Sequence, residues 1–158
     1  MNNEILHIIE QLRDAFEGDP WYGRSLKALL SEVNEDIAFE RPSGQHSILE
    51  LVWHMVNWRA FTVACIAKDG TKPLSSFEEN DWQVLDHADK SLWQKGLKDL
   101  YQSQEELVQL LQGLQDSILE ETVPDRNYNF RKLFDGIVQH DVYHLGQIAY
   151  LTKLLKHQ

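Results

Sequence analysis

The chain has 158 residues, enough for one domain with its own hydrophobic core, and residues 1–158 are read as that single domain. A formal charge of −10 excludes a phosphate-backbone partner, since no basic patch exists to release counterions, and the absence of any apolar run of about 18 residues excludes a membrane span. With 8 glycines, 4 prolines and abundant Leu, Glu, Gln and Lys, the composition favours helix.

Taken in chain order, Ile5, Ile8, Ile9, Leu12 and Phe16 recur at helical spacing and predict a first helix over roughly residues 3 to 17. Gly18-Asp19-Pro20 should end it, because glycine suits a C-cap and proline cannot continue a helix. Leu26, Leu29, Leu30 and Val33 support a short or kinked helical continuation, followed by a loop at Glu40-Arg41-Pro42-Ser43-Gly44.

The second long helix begins at Ser47. Ser47 and Glu50 form the S-x-x-E pattern in which hydroxyl and carboxylate satisfy reciprocal backbone donors. This helix should reach about Lys68 and stop at Asp69-Gly70-Thr71-Lys72-Pro73. A weakly periodic segment of about 18 residues, carrying Phe77, Trp82 and Leu85, is long for a plain loop and reads as a crossover or a lid.

A third helix is predicted near Leu92 to Leu114, with Gln102, Gln104, Gln109, Gln112 and Gln115 assigned to its wet face. The last should start near Phe130, after Val123-Pro124-Asp125, and reach about Lys156. Four long amphipathic segments and no alternating strand pattern predict an all-α fold, a four-helix bundle with a long crossover between the second and third helices. That crossover permits those two helices to run parallel.

His54, His140 and His144 interrupt the stripes that should face the core. Residues four apart on a helix lie about 40° apart on its circumference, so His140 and His144 share a face, together with Leu133, Ile137, Ile148, Leu151 and Leu155. On the second helix His54 shares its face with Leu51, Trp58, Phe61 and Cys65. Bundles build metal sites from inward side chains on facing helices, and three imidazoles are a chemically sufficient set. The competing reading makes each histidine a core residue hydrogen-bonded to a neighbouring carboxylate or carbonyl. Three neutral ligands would leave a divalent ion its full charge and an open position; zinc and nickel suit an imidazole-only set.

Around them, Glu50 lies one turn before His54, and its role in the cap competes with any role at the site. Asp141 and Gln147 are positioned to orient imidazole N–H groups, and Tyr143 to donate a hydrogen bond at the mouth or simply to pack. His46 reads first as a helix-entry residue, while His7, His87 and His157 read as surface residues. Cys65, three turns beyond His54 and about 16 Å along the axis, is too far to share an ion and reads as a small core residue. One cysteine allows no internal disulfide, and with no basic start and apolar stretch at Met1-Asn2-Asn3-Glu4 a cytoplasmic protein is expected. Trp21 and Trp82, in connections, are candidates for lining a pocket or a dimer face.

Trp21-Tyr22-Gly23, the segment from His46 to His54 with Trp58-Arg59, and the segment from Gly136 to Ile148 together resemble the DinB/YfiT-like superfamily of metal-dependent enzymes. The chain departs from that pattern at Tyr22, where many relatives carry histidine. The resemblance implies an up-down-down-up bundle, His54, His140 and His144 as ligands of a divalent metal, and often a homodimer. It also implies chemistry on small molecules with a low-molecular-weight thiol such as bacillithiol, in S-transfer or isomerisation. Three expectations follow: a thiol-dependent S-transferase acting on small electrophiles, a metal-dependent hydrolase with Glu50 as its base, or a non-catalytic, stress-related metal-binding bundle.

Overall fold

A computed structural model describes residues 3–68, 70 and 72–156. It is all-α, with no strand among the described residues. Seven α-helices appear: α1 (Asn3–Glu17), α2 (Leu26–Leu30), α3 (Glu35–Phe39), α4 (Ile48–Ala67), α5 (Ser75–Glu79), α6 (Ser91–Gln112) and α7 (Phe130–Lys156). None is long and apolar enough to cross a membrane.

The long helices α1, α4, α6 and α7 carry the core, and their ends follow local chemistry. Both halves of the α4 capping box are made: Glu50 N–H donates to Ser47 Oγ at 3.2 Å, and Ser47 N–H donates to the Glu50 carboxylate at 2.8 Å. Lys68, in a left-handed conformation (φ 51°), closes α4; Asp69 and Thr71, from the expected stop, lie outside the described residues, as does His157. The α1 N-terminus is capped from a distance, Ile5 N–H donating to Asp116 Oδ1 at 3.0 Å. Asn129 accepts from Lys132 N–H at 3.1 Å and so caps α7.

Two connections differ from expectation. The continuation after Trp21 is two short helices, because Asn34 accepts from Ile37 N–H at 3.0 Å and starts α3 afresh. The weakly periodic crossover contains α5, and the loop before α4 tightens into a 3-10 turn at Pro42–Gly44.

In the bundle α4 packs on α6 and α7, and α1 packs on the same two helices. Trp53 Nε1 donates to the Leu92 carbonyl at 3.2 Å and Arg59 Nη1 to Gln104 Oε1 at 2.7 Å, so α4 and α6 run in the same direction. Helix α7 runs against α4, since His54 meets His144 while Lys68 reaches the Phe130 ring.

The core is divided in two. One apolar cluster holds Phe16, Trp53, Met55, Leu100, Leu145 and Ile148 among others; the second holds Ile5, Leu12, Phe61, Leu107, Phe134 and Ile137. Between them on α4, α6 and α7 lies a polar waist. The fully buried Arg59 binds Gln104 and Asp141 there, and Gln104 Nε2 donates to the Leu12 carbonyl at 3.3 Å. Gln104, assigned from periodicity to the wet face of its helix, is buried because this network satisfies its amide.

Replacing Arg59 with Met strands Asp141 without its cation, and unfolding free energy should fall by about 3–5 kcal/mol. Adding Asp141→Leu should recover most of that loss. Urea titrations check this, and a double variant as unstable as Arg59→Met alone would contradict the pairing.

Candidate metal centre

At the edge of this waist three imidazoles converge. α4 supplies His54, and one turn of α7 supplies His140 and His144, so the site needs only two facing helices to exist. His140 Nε2 lies 3.0 Å from His54 Nε2 and 3.1 Å from His144 Nε2. The three ligand atoms lie within 4.8 Å of one another, the one such cluster of His, Cys, Asp or Glu found among the described residues.

Hydrogen bonds fix the tautomers of two rings. His54 Nδ1–H donates to the Asp81 carbonyl at 2.8 Å, and His144 Nδ1–H donates to Gln147 Oε1 at 2.6 Å. In their neutral forms both rings therefore turn a lone pair inward from Nε2. Burial pushes all three basicities down, His140 to about 3 and His144 to about 4, with neighbouring histidines adding to the effect. For His54 the Asp81 carbonyl opposes that fall without cancelling it.

The neutral rings thus crowd three nitrogens together with at most one proton among them. One pair at least faces lone pair to lone pair. A cation removes this conflict, and nitrogens about 2.1 Å from a common ion stand about 3 Å apart when the ligand angle is near 90–100°. The donor set and spacing fit a divalent ion. His140 Nδ1, buried and without a partner, is the one outward nitrogen lacking support.

The crossover closes over this cluster. Trp82 stacks on His54 with ring centroids 4.0 Å apart and planes 9° from parallel, and His46 stacks on the far side of Trp82 at 3.6 Å and 4°. Trp58 Nε1 donates to Asp81 Oδ1 at 2.7 Å, and Asn57 Nδ2 donates to the Phe77 carbonyl at 2.8 Å. His46 is therefore part of the site entrance as well as the residue before the cap. Asp81 and Asn57 had no signal in the periodicity, because tertiary contacts alone give them their places.

Other expected residues fall as follows. Gln147 orients His144, whereas Asp141 turns away from the imidazoles to pair with Arg59 in the waist. Burial raises the Asp141 carboxyl despite that guanidinium. Tyr143 is exposed and meets His144 edge-on at 5.1 Å. Glu50 makes no contact with the three rings. Its burial would raise its carboxyl, but Arg41 and Ser47 hold it down to about 2. Cys65 is fully buried, and burial pushes its thiol up to about 11. His87 is half-buried rather than a surface residue, with Nδ1 against the Phe39 carbonyl at 3.0 Å. Trp21 is fully exposed.

The depressed basicities set a pH dependence for metal-free protein. Histidines in the unfolded chain take up protons near 6.5, whereas His140 and His144 in the fold resist until about 3 and about 4. The unfolded state therefore binds more protons inside that window, and stability falls as pH drops from about 6.5 toward 4. Chelator-treated His140→Gln/His144→Gln protein should lose less stability between pH 7 and pH 5 than wild type, read as urea midpoints. Parallel losses would contradict buried neutral imidazoles.

A family model for the DinB superfamily matches residues 23–148, most of the chain and all three histidines. No curated protein and no solved structure matches it. With the family model covering the bundle from before α2 into α7, the chain belongs to the DinB superfamily.

Proposed function

We propose that the protein is a divalent-metal-dependent S-transferase that joins a low-molecular-weight thiol to a small electrophile. The observation that carries this reading is the inward convergence of three neutral imidazole nitrogens at 3.0 and 3.1 Å. Zinc or nickel held there would favour the thiolate form of a bound thiol or polarise an electrophile. The chain itself offers no usable sulfur, since Cys65 is buried with its thiol at about 11, so an external thiol suits the site.

The surrounding residues have defined tasks in this reading. The Asp81 carbonyl and Gln147 hold the Nδ1 protons of His54 and His144, keeping their Nε2 lone pairs inward. Trp82 and His46 exclude water from one side of His54. Tyr143, exposed beside His144, is placed to donate a hydrogen bond at the mouth. In the transfer the thiol sulfur bonds to the electrophilic carbon, the leaving group departs with its electron pair, and the thiol proton passes to solvent.

Hydrolysis is less well served. Glu50, the carboxylate assigned as base, is engaged by Arg41 and Ser47 and held at about 2, too acidic to be an effective general base at neutral pH. A homodimer in the cytoplasm belongs to the same proposal, and the exposed Tyr143 and Tyr150 on α7 give such an interface aromatic surface.

Protein purified without chelator or His-tag should carry one zinc or nickel per chain by elemental analysis, and His144→Ala should lose it. The loaded protein with bacillithiol and a chlorinated dinitrobenzene should form the thioether and release chloride, with His144→Ala slower by at least about tenfold, or ~1.4 kcal/mol. Absence of turnover with every small thiol tried on fully loaded protein would remove this function. Glu50→Gln should lower thermal stability yet keep thiol transfer; ester hydrolysis abolished by Glu50→Gln with metal retained would favour the hydrolase instead.

A further inference from the structure

Beside the cluster, α4 and α7 separate into a cleft of about 280 Å³ whose lining includes His140. Trp58, Phe61, Tyr128, Leu133 and Ile137 make it mostly aromatic and aliphatic, so a molecule filling it lies against one of the three converging rings. One charged residue, Lys132, also lines it, with Nζ 5.6 Å from the centre of the Tyr128 ring. Among the described residues Lys132 forms no ion pair, although most other cationic side chains near the ends of α7 do: Arg126 with Glu78, Arg131 with Glu4 and Glu120, Lys156 with Glu32.

Gly136 completes the lining, and a Cβ built there meets no atom within 4 Å. No close helix contact requires glycine at this position, and its lack of a side chain keeps the cleft open in the middle of a helix where glycine is otherwise unfavourable.

We infer that this cleft is the subsite for the electrophile and that it selects a small aromatic acid, its ring among Trp58, Phe61 and Tyr128 and its carboxylate toward Lys132. The volume lies near the low end of small-molecule pockets, which suits a single substituted ring better than a larger ligand. An apolar body with one exposed cation at its rim, held over the Tyr128 ring and outside any ion pair, complements an aromatic carboxylate. The inference rests on the transferase reading for the word electrophile, but the binding itself is measured separately from metal content and turnover.

Trans-cinnamate and cinnamyl alcohol serve as matched probes, titrated calorimetrically into the 158-residue protein, with metal content determined on the same samples. Cinnamate should bind about three- to fivefold more tightly than the alcohol, the size expected of a partly exposed ion pair. Lys132→Met should erase that preference while leaving the alcohol's affinity unchanged. Gly136→Leu should reduce binding of both probes at least about tenfold while keeping metal content and a thermal midpoint at or above wild type. If wild type binds neither probe, or Gly136→Leu binds both as wild type does, the subsite assignment is overturned whatever the metal content. If the expected pattern appears in protein that takes up no metal, the aromatic-acid subsite stands and the metal-dependent transferase falls.

Discussion

Nitrogen lone pairs do not gather at 3 Å without something positive or protic between them. The fold brings His54, His140 and His144 into that arrangement and leaves at most one proton, on His140 Nε2, to share among them. Two rings have their protons committed outward to Asp81 and Gln147, and burial opposes protonation of all three. The competing sequence reading, in which each histidine is a core residue satisfied by its own neighbour, accounts for the outward nitrogens of two rings and, with a proton on His140 Nε2, for one of the inward contacts, but it leaves the His54 and His144 lone pairs turned toward the same space. Membership of the DinB superfamily over residues 23–148 and the three-histidine cluster are both compatible with a metal-binding protein.

Holding two helices at the required separation falls to the polar waist. Arg59 lies five residues after His54 on α4, and its partner Asp141 directly follows His140 on α7, so the ion pair ties together the same two stretches that carry the ligands. Gln104 extends the tie to α6 and, through the Leu12 carbonyl, to α1. A buried ion pair contributes little net stability compared with apolar packing. Its value here is positional, because the two apolar clusters on either side of it tolerate sliding of one helix past another far better than a guanidinium and a carboxylate do.

Helical periodicity made the main architecture legible. The apolar stripes of α1, α4, α6 and α7, the Ser47–Glu50 cap, and the interruption of two stripes by histidine all follow from spacing along single helices. What spacing could not show is which polar residue turns toward which partner on another helix. Gln104 read as solvent-facing, and Asp141 read as a support for an imidazole; each is instead claimed by Arg59. An arginine within a largely apolar helix was the available signal for that network. The crossover was equally opaque, since Asp81 and Trp82 acquire their roles only when His54 and Trp58 come within reach. The break between α2 and α3 depended on Asn34 choosing a cap over continuation, a local competition that apolar periodicity does not weigh.

The account stands on imidazole nitrogens from α4 and α7 sharing one ion, and X-ray absorption at the metal edge of the zinc-loaded protein tests this most directly. It predicts three imidazole nitrogens at about 2.0–2.1 Å, with the remaining coordination filled by an exchangeable light atom that gives way to sulfur when thiol is added. Zinc bound through carboxylate oxygens alone, or with no outer-shell imidazole scattering, would contradict it.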